Sequence, residues 1–187
     1  MLKFALIGAG RIGQMHANNI FLNPKCCLEY VYDINKENSY IVAEKYNCKI
    51  ASSPEEAINS NVKAVFIASS TATHIDYILA STKNNKSVIC EKPIDLSIER
   101  INSCKKELIK NDVLIQIGFQ RRFDNSHRST IEKSKKGEIG NIEKIIITSR
   151  DPQPPNKNYI KSSGGIFRDM TIHDFDLINY ILGDDKI

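Results

Sequence analysis

Six residues near the start of the chain have the glycine spacing of a phosphate-binding turn, Gly8-Ala9-Gly10-Arg11-Ile12-Gly13. The apolar run over residues 3–7 predicts a buried strand before this turn, and residues 11–22 predict a helix after it. In that context the first glycine permits the tight turn, the second lets the backbone approach a pyrophosphate, and the third lets the helix pack on the strand. Because the helix N-terminus attracts phosphates, the pattern predicts a dinucleotide site rather than a plain glycine-rich turn. The candidate contacts in the turn are Gly8, Gly10, Arg11 and Ile12.

An acidic residue follows the second predicted strand, residues 27–32. A carboxylate at this place, here Asp33, accepts hydrogen bonds from the adenosine ribose hydroxyls and repels a 2′-phosphate. Ile34 and Asn35 provide no positive charge for such a phosphate, so we predict NAD rather than NADP as the cofactor. Asp33 could also cap the helix that is predicted to begin at residue 35, and the two roles are compatible.

The tripeptide Glu91-Lys92-Pro93 follows a further predicted strand at residues 87–90. Ligands of open α/β sheets bind at the carboxyl ends of the strands, so Lys92 is expected where a substrate meets the cofactor. Pro93 biases Lys92 toward an extended backbone. The alternative role for this segment is a surface ion pair between Glu91 and a lysine elsewhere.

Asp169 and His173 lie four residues apart in a predicted helix over residues 167–182. This spacing places both side chains on one helix face. A histidine beside a carboxylate can act as a general base near neutral pH. Capping of the helix N-terminus is the alternative role for Asp169. No cysteine or second histidine completes a ligand set nearby, so we do not expect a metal site.

The elements that position these groups alternate between strand and helix as far as residue 118, which indicates βαβ units. The predicted fold is therefore α/β, with the doubly wound parallel sheet of the Rossmann class. Within it, Ser53-Pro54-Glu55-Glu56 has the pattern of a helix start with a capping box.

The pattern changes after residue 119. A polar helix over 123–136, a strand over 143–149, a Pro- and Gly-rich loop over 151–165 and the helix over 167–182 predict a truncated α+β substrate domain. We therefore divide the chain into two parts. They are an NAD-binding domain, residues 1–120, and a partial substrate and oligomerisation domain, residues 121–187.

Composition excludes several classes of protein. The chain is 41% hydrophobic and 26% charged, with a formal net charge of +4, as in an ordinary globular protein. Its basic residues are dispersed apart from Lys133, Lys135 and Lys136, so nucleic acid is not a predicted partner. No apolar run approaches the ~20 residues of a membrane span, and the apolar N-terminus is better explained by a first strand than by a secretory signal. We expect a cytoplasmic protein that binds no membrane and whose five cysteines are reduced.

Taken together and in this order, the motifs resemble the glucose–fructose oxidoreductase and inositol dehydrogenase (Gfo/Idh/MocA) family, and within it the inositol 2-dehydrogenase branch. The motifs are GAGRIGQMHA (8–17), the strand that ends at Asp33, EKP (91–93), GFQRRFD (118–124), SRDPQPP (149–155) and SGGIFRDMTIHDFD (163–176). The resemblance extends from Met1 to about Gly183.

The resemblance implies an NAD-dependent dehydrogenase that removes a hydride from a secondary alcohol of a cyclic polyol or sugar. It implies that Lys92 contacts substrate and nicotinamide, and that Asp169 and His173 form the family's D-x-x-x-H pair with His173 as the base. By the same likeness Arg121 lines the polyol site. Glu91 belongs to the cofactor-binding EKP segment, and the loop that flanks the nicotinamide half contains Ser69, Ser70, Thr71 and His74.

One departure from the family concerns length. The chain is short for the family, so we expect most of the sheet of the substrate domain to lie outside this sequence. A catalytically silent NAD-binding module or a fragment is therefore the alternative to an active enzyme. The apolar strand over 143–149 and the apolar side chains of the last helix predict self-association, and we expect a homo-oligomer.

Overall fold

The computed structural model describes residues 1–151, 153–155 and 157–183. Parts of the predicted 151–165 loop and the last residues of the predicted second domain therefore lie outside the described residues. The chain divides after Gly118 into two compact units, residues 1–118 and 119–187, which are described separately below. Within the described ranges no helix is both long enough and apolar enough to cross a membrane.

The first unit alternates strands and helices along its whole length. Its strands are β1 (Leu2–Ile7), β2 (Cys26–Tyr32), β3 (Lys49–Ile50), β4 (Ala64–Ile67), β5 (Ser87–Cys90) and β6 (Ile115–Ile117). Its helices are α1 (Arg11–Leu22), α2 (Lys36–Tyr46), α3 (Pro54–Asn59), α4 (His74–Lys83) and α5 (Ile98–Leu108), with a 3₁₀ turn at Thr71–Thr73 before α4.

All six strands form one parallel sheet in the order β3-β2-β1-β4-β5-β6. The strand order reverses between β1 and β4, so a crevice opens at the carboxyl ends of these two strands. The predicted doubly wound parallel sheet is confirmed. The glycine turn follows β1 and the loop at residues 69–73 follows β4, so both lie at this crevice.

Alternation along the strands builds the core on both faces of the sheet. Phe4, Leu6 and Phe66 belong to a buried cluster that also contains residues of α1 and α2. Ile7 and Ile67 belong to a second cluster that also contains residues of α3, α4 and α5. Strands buried on both faces become continuous apolar runs in the sequence, which is why β1 and β4 were predictable without any alternation of polar residues.

The predicted capping box at α3 is only half formed. The Ser53 hydroxyl accepts the N–H of Glu56 at 3.2 Å, as predicted. The Glu56 carboxylate, however, accepts from the N–H and the hydroxyl of Ser52, at 2.7 and 2.5 Å. A neighbouring serine with two donors thus replaces the backbone N–H that a capping box would use.

The second unit contains helices and turns. They are a 3₁₀ turn (Gln120–Phe123), α6 (Asn125–Lys135), α7 (Lys157–Ser162), a π-helical turn (Phe167–Thr171) and α8 (Ile172–Leu182). The polar helix and the last helix were predicted, whereas α7 falls in a segment predicted to be a loop.

The predicted strand over residues 143–149 is wrong. The backbone there forms no regular element, although the exposure of the side chains alternates, with Ile146 mostly exposed and its neighbours Ile145 and Ile147 half-buried. A strand needs a partner for its backbone hydrogen bonds. In the described part of the second unit no other segment is a strand, so an apolar β-prone sequence alone does not produce one.

Candidate functional site

The glycine turn between β1 and α1 leaves no room for side chains at two of its positions. Gly8 has a φ of +93°, and a Cβ atom on it would lie 2.4 Å from the backbone nitrogen of Ser69. A Cβ atom on Gly13 would lie 1.9 Å from the carbonyl oxygen of Gly8. The turn therefore packs against the loop after β4 on one side and against its own helix on the other, which requires glycine at both positions.

Gly10 has the opposite surroundings, since a Cβ atom there would meet nothing within 4 Å. Gly10 is also the N-cap residue of α1 and provides no side chain to cap the first turn. A helix N-terminus of this kind leaves N–H groups that can bind an anion. The open space above Gly10 and these amides fit a pyrophosphate, with Arg11 exposed and Ile12 half-buried beside them.

Asp33 is fixed against the glycine turn by two backbone hydrogen bonds. Its Oδ2 accepts the N–H of Ala9 at 2.6 Å, and its Oδ1 accepts the N–H of Asn35 at 2.8 Å. Asn35, rather than Asp33, caps α2 by accepting the N–H of Glu37 at 3.1 Å. Asp33 is half-exposed, and the next side chain, Ile34, is 93% exposed. Neither Ile34 nor Asn35 provides a positive charge for a 2′-phosphate.

The loop after β4 is closed by its own hydrogen bonds. The hydroxyls of Ser69 and Thr73 lie 2.8 Å apart, and the Thr73 hydroxyl donates to the carbonyl oxygen of Ser70 at 2.8 Å. Of the residues predicted to bind the cofactor, Ser70 is exposed, while Ser69 and Thr71 are half-exposed.

His74 lies at the start of α4 and is buried, with 1% of its surface exposed. Its Nδ1 is 2.8 Å from the carbonyl oxygen of Pro93, and its Nε2 is 3.1 Å from the carbonyl oxygen of Ser69. The ring therefore connects the loop after β4 with the EKP segment. These contacts give His74 a positioning role, and direct cofactor contact stays a prediction.

Glu91 follows β5 and forms the centre of a second connection. Its Oε1 lies 2.7 Å from Nε2 of His16, and both side chains are largely buried, with 19% and 17% exposed. Its Oε2 accepts the backbone N–H of Lys92 at 3.3 Å. Burial alone would raise the pKa of the Glu91 carboxyl, but the hydrogen bonds and charges of His16 and Lys92 together outweigh it and hold this pKa below its usual value.

Lys92 follows the carboxyl end of β5, at the sheet edge where the sequence predicted it, and its peptide bond to Pro93 is cis. The predicted alternative was a surface ion pair between Glu91 and a distant lysine. In the structure the partner of Glu91 is His16, and the carboxylate is mostly buried.

In the second unit, Asp169 and His173 share one continuous helical run, as predicted. Asp169 lies in the π-helical turn and His173 in the first turn of α8. Such widened turns occur often at functional sites. His173 is 8% exposed, and its ring meets Phe119 edge to face at 6.3 Å. Asp169 does not cap the helix; its Oδ1 accepts the hydroxyl of Tyr159 at 2.6 Å.

Arg121 is held by an ion pair within the same unit. Its Nη1 contacts the carboxylate of Asp174 and also donates to the hydroxyl of Ser149 at 3.1 Å. That hydroxyl in turn donates to Asp174 at 2.7 Å. The neighbouring Arg122 pairs with Asp176 through three hydrogen bonds of 2.6 to 3.1 Å. Two consecutive arginines thus hold the segment after residue 118 against α8, and contact of Arg121 with a polyol stays a prediction.

Sequence reasoning missed three of these residues. His16 lies in the motif GQMHA, directly before Ala17, which is buried on α1. This position could have indicated that the His16 side chain faces inward. Tyr159 and Ser149 lie in irregular or short segments, where no periodicity indicates which side chains meet. Among the described residues no group of three potential metal ligands is present.

The parallel sheet, the glycine turn at its switch point and the carboxylate after β2 define a dinucleotide-binding Rossmann domain. Residues 2–119 match the family described as an oxidoreductase family with an NAD-binding Rossmann fold, GFO_IDH_MocA. Residues 127–186 match the GFO/IDH/MocA C-terminal domain. The chain belongs to the GFO/IDH/MocA oxidoreductase family, and the predictions of this family and of its NAD cofactor are confirmed.

The similar proteins include inositol dehydrogenases. The chain is 39% identical over 186 residues to an inositol 2-dehydrogenase of Rhizobium meliloti and 40% identical over 186 residues to a myo-inositol 2-dehydrogenase of Thermotoga maritima. These matches cover 100% and 98% of this chain and 56% of each relative.

Two solved structures extend this likeness. A myo-inositol dehydrogenase from Corynebacterium glutamicum has a TM-score of 0.91 at 41% identity, covering 97% of this chain and 55% of the other. The scyllo-inositol dehydrogenase from Lactobacillus casei, solved with bound NAD(H) and scyllo-inositol, has a TM-score of 0.87 at 29% identity, covering 98% of this chain and 56% of the other. The chain therefore spans little more than half the length of these relatives.

Proposed function

We propose that this chain takes part in the NAD-dependent oxidation of a secondary alcohol of a cyclic polyol or sugar, as an inositol 2-dehydrogenase does. The observation that carries the proposal is the similarity to inositol 2-dehydrogenases at about 40% identity, which covers 98% or more of this chain and 56% of each relative. This chain itself contains the EKP segment and the D-x-x-x-H pair. The substrate is a small neutral polyol.

The first unit acts as the NAD-binding domain. The open space at Gly10 and the amides of α1 receive the pyrophosphate, and Asp33 receives the adenosine ribose. Two of the carboxylate's acceptor positions already bind Ala9 and Asn35, so the group is held in place before the ribose arrives. Preorganisation of this kind reduces the ordering cost of binding. The loop at residues 69–71 and the EKP segment are the candidate contacts of the nicotinamide half.

The second unit acts as part of the substrate domain and supplies the general base. His173 accepts the proton of the alcohol, and Asp169 orients or tunes His173. Asp169 and Arg121 also contact the polyol hydroxyls. Lys92 of the first unit donates a hydrogen bond to the alcohol oxygen and stabilises negative charge there as the proton leaves. NAD supplies the hydride acceptor when it is bound.

The test is polyol-dependent reduction of NAD by the purified chain, followed by the absorbance of NADH, with myo-inositol, scyllo-inositol and glucose as substrates. Replacing a general base lowers the rate by about 10² to 10⁴, so His173→Ala should lose turnover on this scale while its affinity for NAD stays that of the wild type. A His173→Ala protein with undiminished turnover would contradict the role of His173.

A second candidate function is an NAD-binding module without turnover of its own. The observation in its favour is the small apolar interior of the described part of the second unit, where Ile131 and Leu177 are the buried hydrophobic residues. Calorimetric titration separates the two candidates. A chain that binds NAD more tightly than NADP, yet reduces no NAD with any of the three polyols, is a module. The predictions of a cytoplasmic location and of a homo-oligomer stay predictions.

A further inference from the structure

We propose that His16 is a positioning residue for the nicotinamide half of the NAD site. Through its hydrogen bond to Glu91, it couples the helix that receives the cofactor phosphates to the segment that carries Lys92. This inference deepens the proposed function and rests on its NAD-binding part. Neither the glycine motif nor the D-x-x-x-H pair includes this histidine.

His16 lies on α1, close to the glycine turn. This helix begins at Arg11, directly after the glycine turn, and its residues Gly13 and Ala17 face the sheet. The His16 ring stacks on Phe66 of β4, with 4.0 Å between ring centroids and 30° between ring planes. The stack fixes the ring plane, so Nε2 has a defined direction.

Nε2 of His16 points at the carboxylate of Glu91. Nε2 lies 2.7 Å from Oε1 of Glu91, which is short for a nitrogen–oxygen hydrogen bond and typical of a charge-assisted one. A neutral imidazole can donate this bond through Nε2, and so can a protonated one. Removal of this donor would therefore take away the hydrogen bond that a mostly buried carboxylate oxygen makes with α1.

The Glu91 carboxylate is closely packed. A Cβ atom on Gly118 would lie 3.2 Å from Oε2 and 3.3 Å from Oε1, so the end of β6 closes tightly over the carboxylate. The backbone N–H of Glu91 donates to Ile67 of β4 at 2.9 Å, and Oε2 accepts the N–H of Lys92. The side chain thus has one partner on α1 and one on the backbone of Lys92, and a shift of the carboxylate would move the Lys92 backbone.

The functional consequence concerns only one half of the cofactor. In the proposed function the glycine turn and Asp33 receive the pyrophosphate and the adenosine ribose, and Asp33 and Glu91 have different hydrogen-bond partners. The nicotinamide half depends on the EKP segment. Loss of the His16–Glu91 bond should therefore weaken the binding of NAD more than the binding of ADP-ribose, which lacks nicotinamide.

The experiment uses two substitutions that divide the properties of His16 between them. His16→Phe keeps an aromatic ring that can stack on Phe66 but has no donor. His16→Gln loses the aromatic ring but keeps a nitrogen donor at a similar distance from the backbone. Calorimetric titration of each protein with NAD and with ADP-ribose gives the ratio of the two dissociation constants. The backbone amide resonances of Lys92 and Gly118, recorded without any ligand, report the position of the EKP segment.

A lost hydrogen bond to a charged group corresponds to about a tenfold change in an equilibrium constant. On this basis we expect His16→Phe to raise the dissociation constant of NAD about tenfold more than that of ADP-ribose. We also expect this substitution to shift both amide resonances. We expect His16→Gln to keep both readouts near those of the wild type.

Several outcomes would overturn the inference. If His16→Gln is the impaired variant and His16→Phe is not, the ring acts by packing alone. If the affinities for NAD and for ADP-ribose fall equally, His16 supports the whole domain rather than the nicotinamide half of the site. Unshifted amides in His16→Phe would contradict the coupling even in a protein that binds no NAD. Absence of NAD binding in the wild type would contradict the proposed function first, and can be recognised separately because the amide readout needs no ligand.

Discussion

The two units differ in what holds their functional groups in place. In the first unit a two-sided apolar core fixes the strands, and the polar contacts of Asp33, His74 and Glu91 add only local order. In the described part of the second unit two hydrophobic residues are buried, while many large apolar side chains are exposed, among them Phe123, Ile139, Ile146, Phe167 and Phe175. There the ion pairs of Arg121 and Arg122 with α8 carry more of the organisation.

The two halves of the proposed chemistry therefore have different structural support. Burial of a large aliphatic side chain contributes about 1.5 to 3 kcal/mol, and the first unit has many such side chains. The second unit relies on a few polar pairs, whose net contribution to stability is small. Loss of a single contact should therefore disturb the position of the D-x-x-x-H pair more than that of the glycine turn.

We expect the two units to differ most in the rate of amide hydrogen exchange. Core strands open only with global unfolding, whereas elements with few buried contacts open locally at low cost. We expect amides in β1 and β4 to exchange about a thousandfold or more slowly than those in α8, measured by mass spectrometry at low protein concentration. If the second unit self-associates, its protection will rise with concentration and sedimentation will show the oligomer. Equal protection of both units at all concentrations, in a monomer, would contradict the difference in their structural support.

Substitution by alanine should affect stability differently at Gly13 and at Gly10, two glycines of the same turn. Gly13→Ala should cost about 3 kcal/mol or more in the free energy of unfolding, since its Cβ would lie 1.9 Å from the carbonyl oxygen of Gly8. Alanine is otherwise the better helix former by about 1 kcal/mol, so a stabilised Gly13→Ala protein would refute the clash.

Gly10→Ala is the matched control, because its Cβ meets nothing within 4 Å. It should keep the stability of the wild type, as measured by urea unfolding. Its NAD affinity should nevertheless fall about tenfold, because the new methyl group occupies the space of the pyrophosphate. Unchanged NAD affinity would remove Gly10 from the cofactor site.

A somewhat smaller effect is expected in the second unit. Asp176 is 4% exposed, so Arg122→Met would leave its carboxylate buried without this partner, at a cost of about 3 kcal/mol. Hydrogen exchange of α8 measures the loss, and the double variant Arg122→Met with Asp176→Leu should recover most of it. Arg128→Met is the control, because its pair with Glu132 is exposed and contributes about 0.5 kcal/mol or less. Equal losses in Arg122→Met and Arg128→Met would contradict this account.

The smallest effect is a pH dependence of the stability of the first unit, caused by Glu91. Because the pKa of Glu91 is lower in the folded chain than in the unfolded one, its contribution to stability is present above the unfolded value of 4.5 and disappears as the pH falls through the folded value. We expect the difference in unfolding free energy between the wild type and Glu91→Gln to be constant above this range and to shrink in acid. Urea unfolding at several pH values measures this difference. A difference that grows in acid would mean that folding raises the pKa of Glu91 instead of lowering it.

Local sequence patterns predict the elements of the first unit and the positions of its main functional groups. The apolar runs of β1 and β4, the glycine turn between β1 and α1, and the acid after β2 are local patterns, because each depends on residues adjacent along the chain. The four-residue spacing of Asp169 and His173 belongs to the same class, since a helix brings such neighbours together without any help from tertiary structure.

Contacts between distant side chains depend on the tertiary structure. The bond between His16 and Glu91 and the bond between Asp33 and the Ala9 amide join residues that are far apart in sequence. Such contacts leave no periodic signal, because they depend on how strands are ordered in the sheet. The failed strand at residues 143–149 has the same physical cause. A strand is defined by backbone hydrogen bonds to a partner, and the sequence of one segment contains its preference for strand geometry but not the presence of that partner.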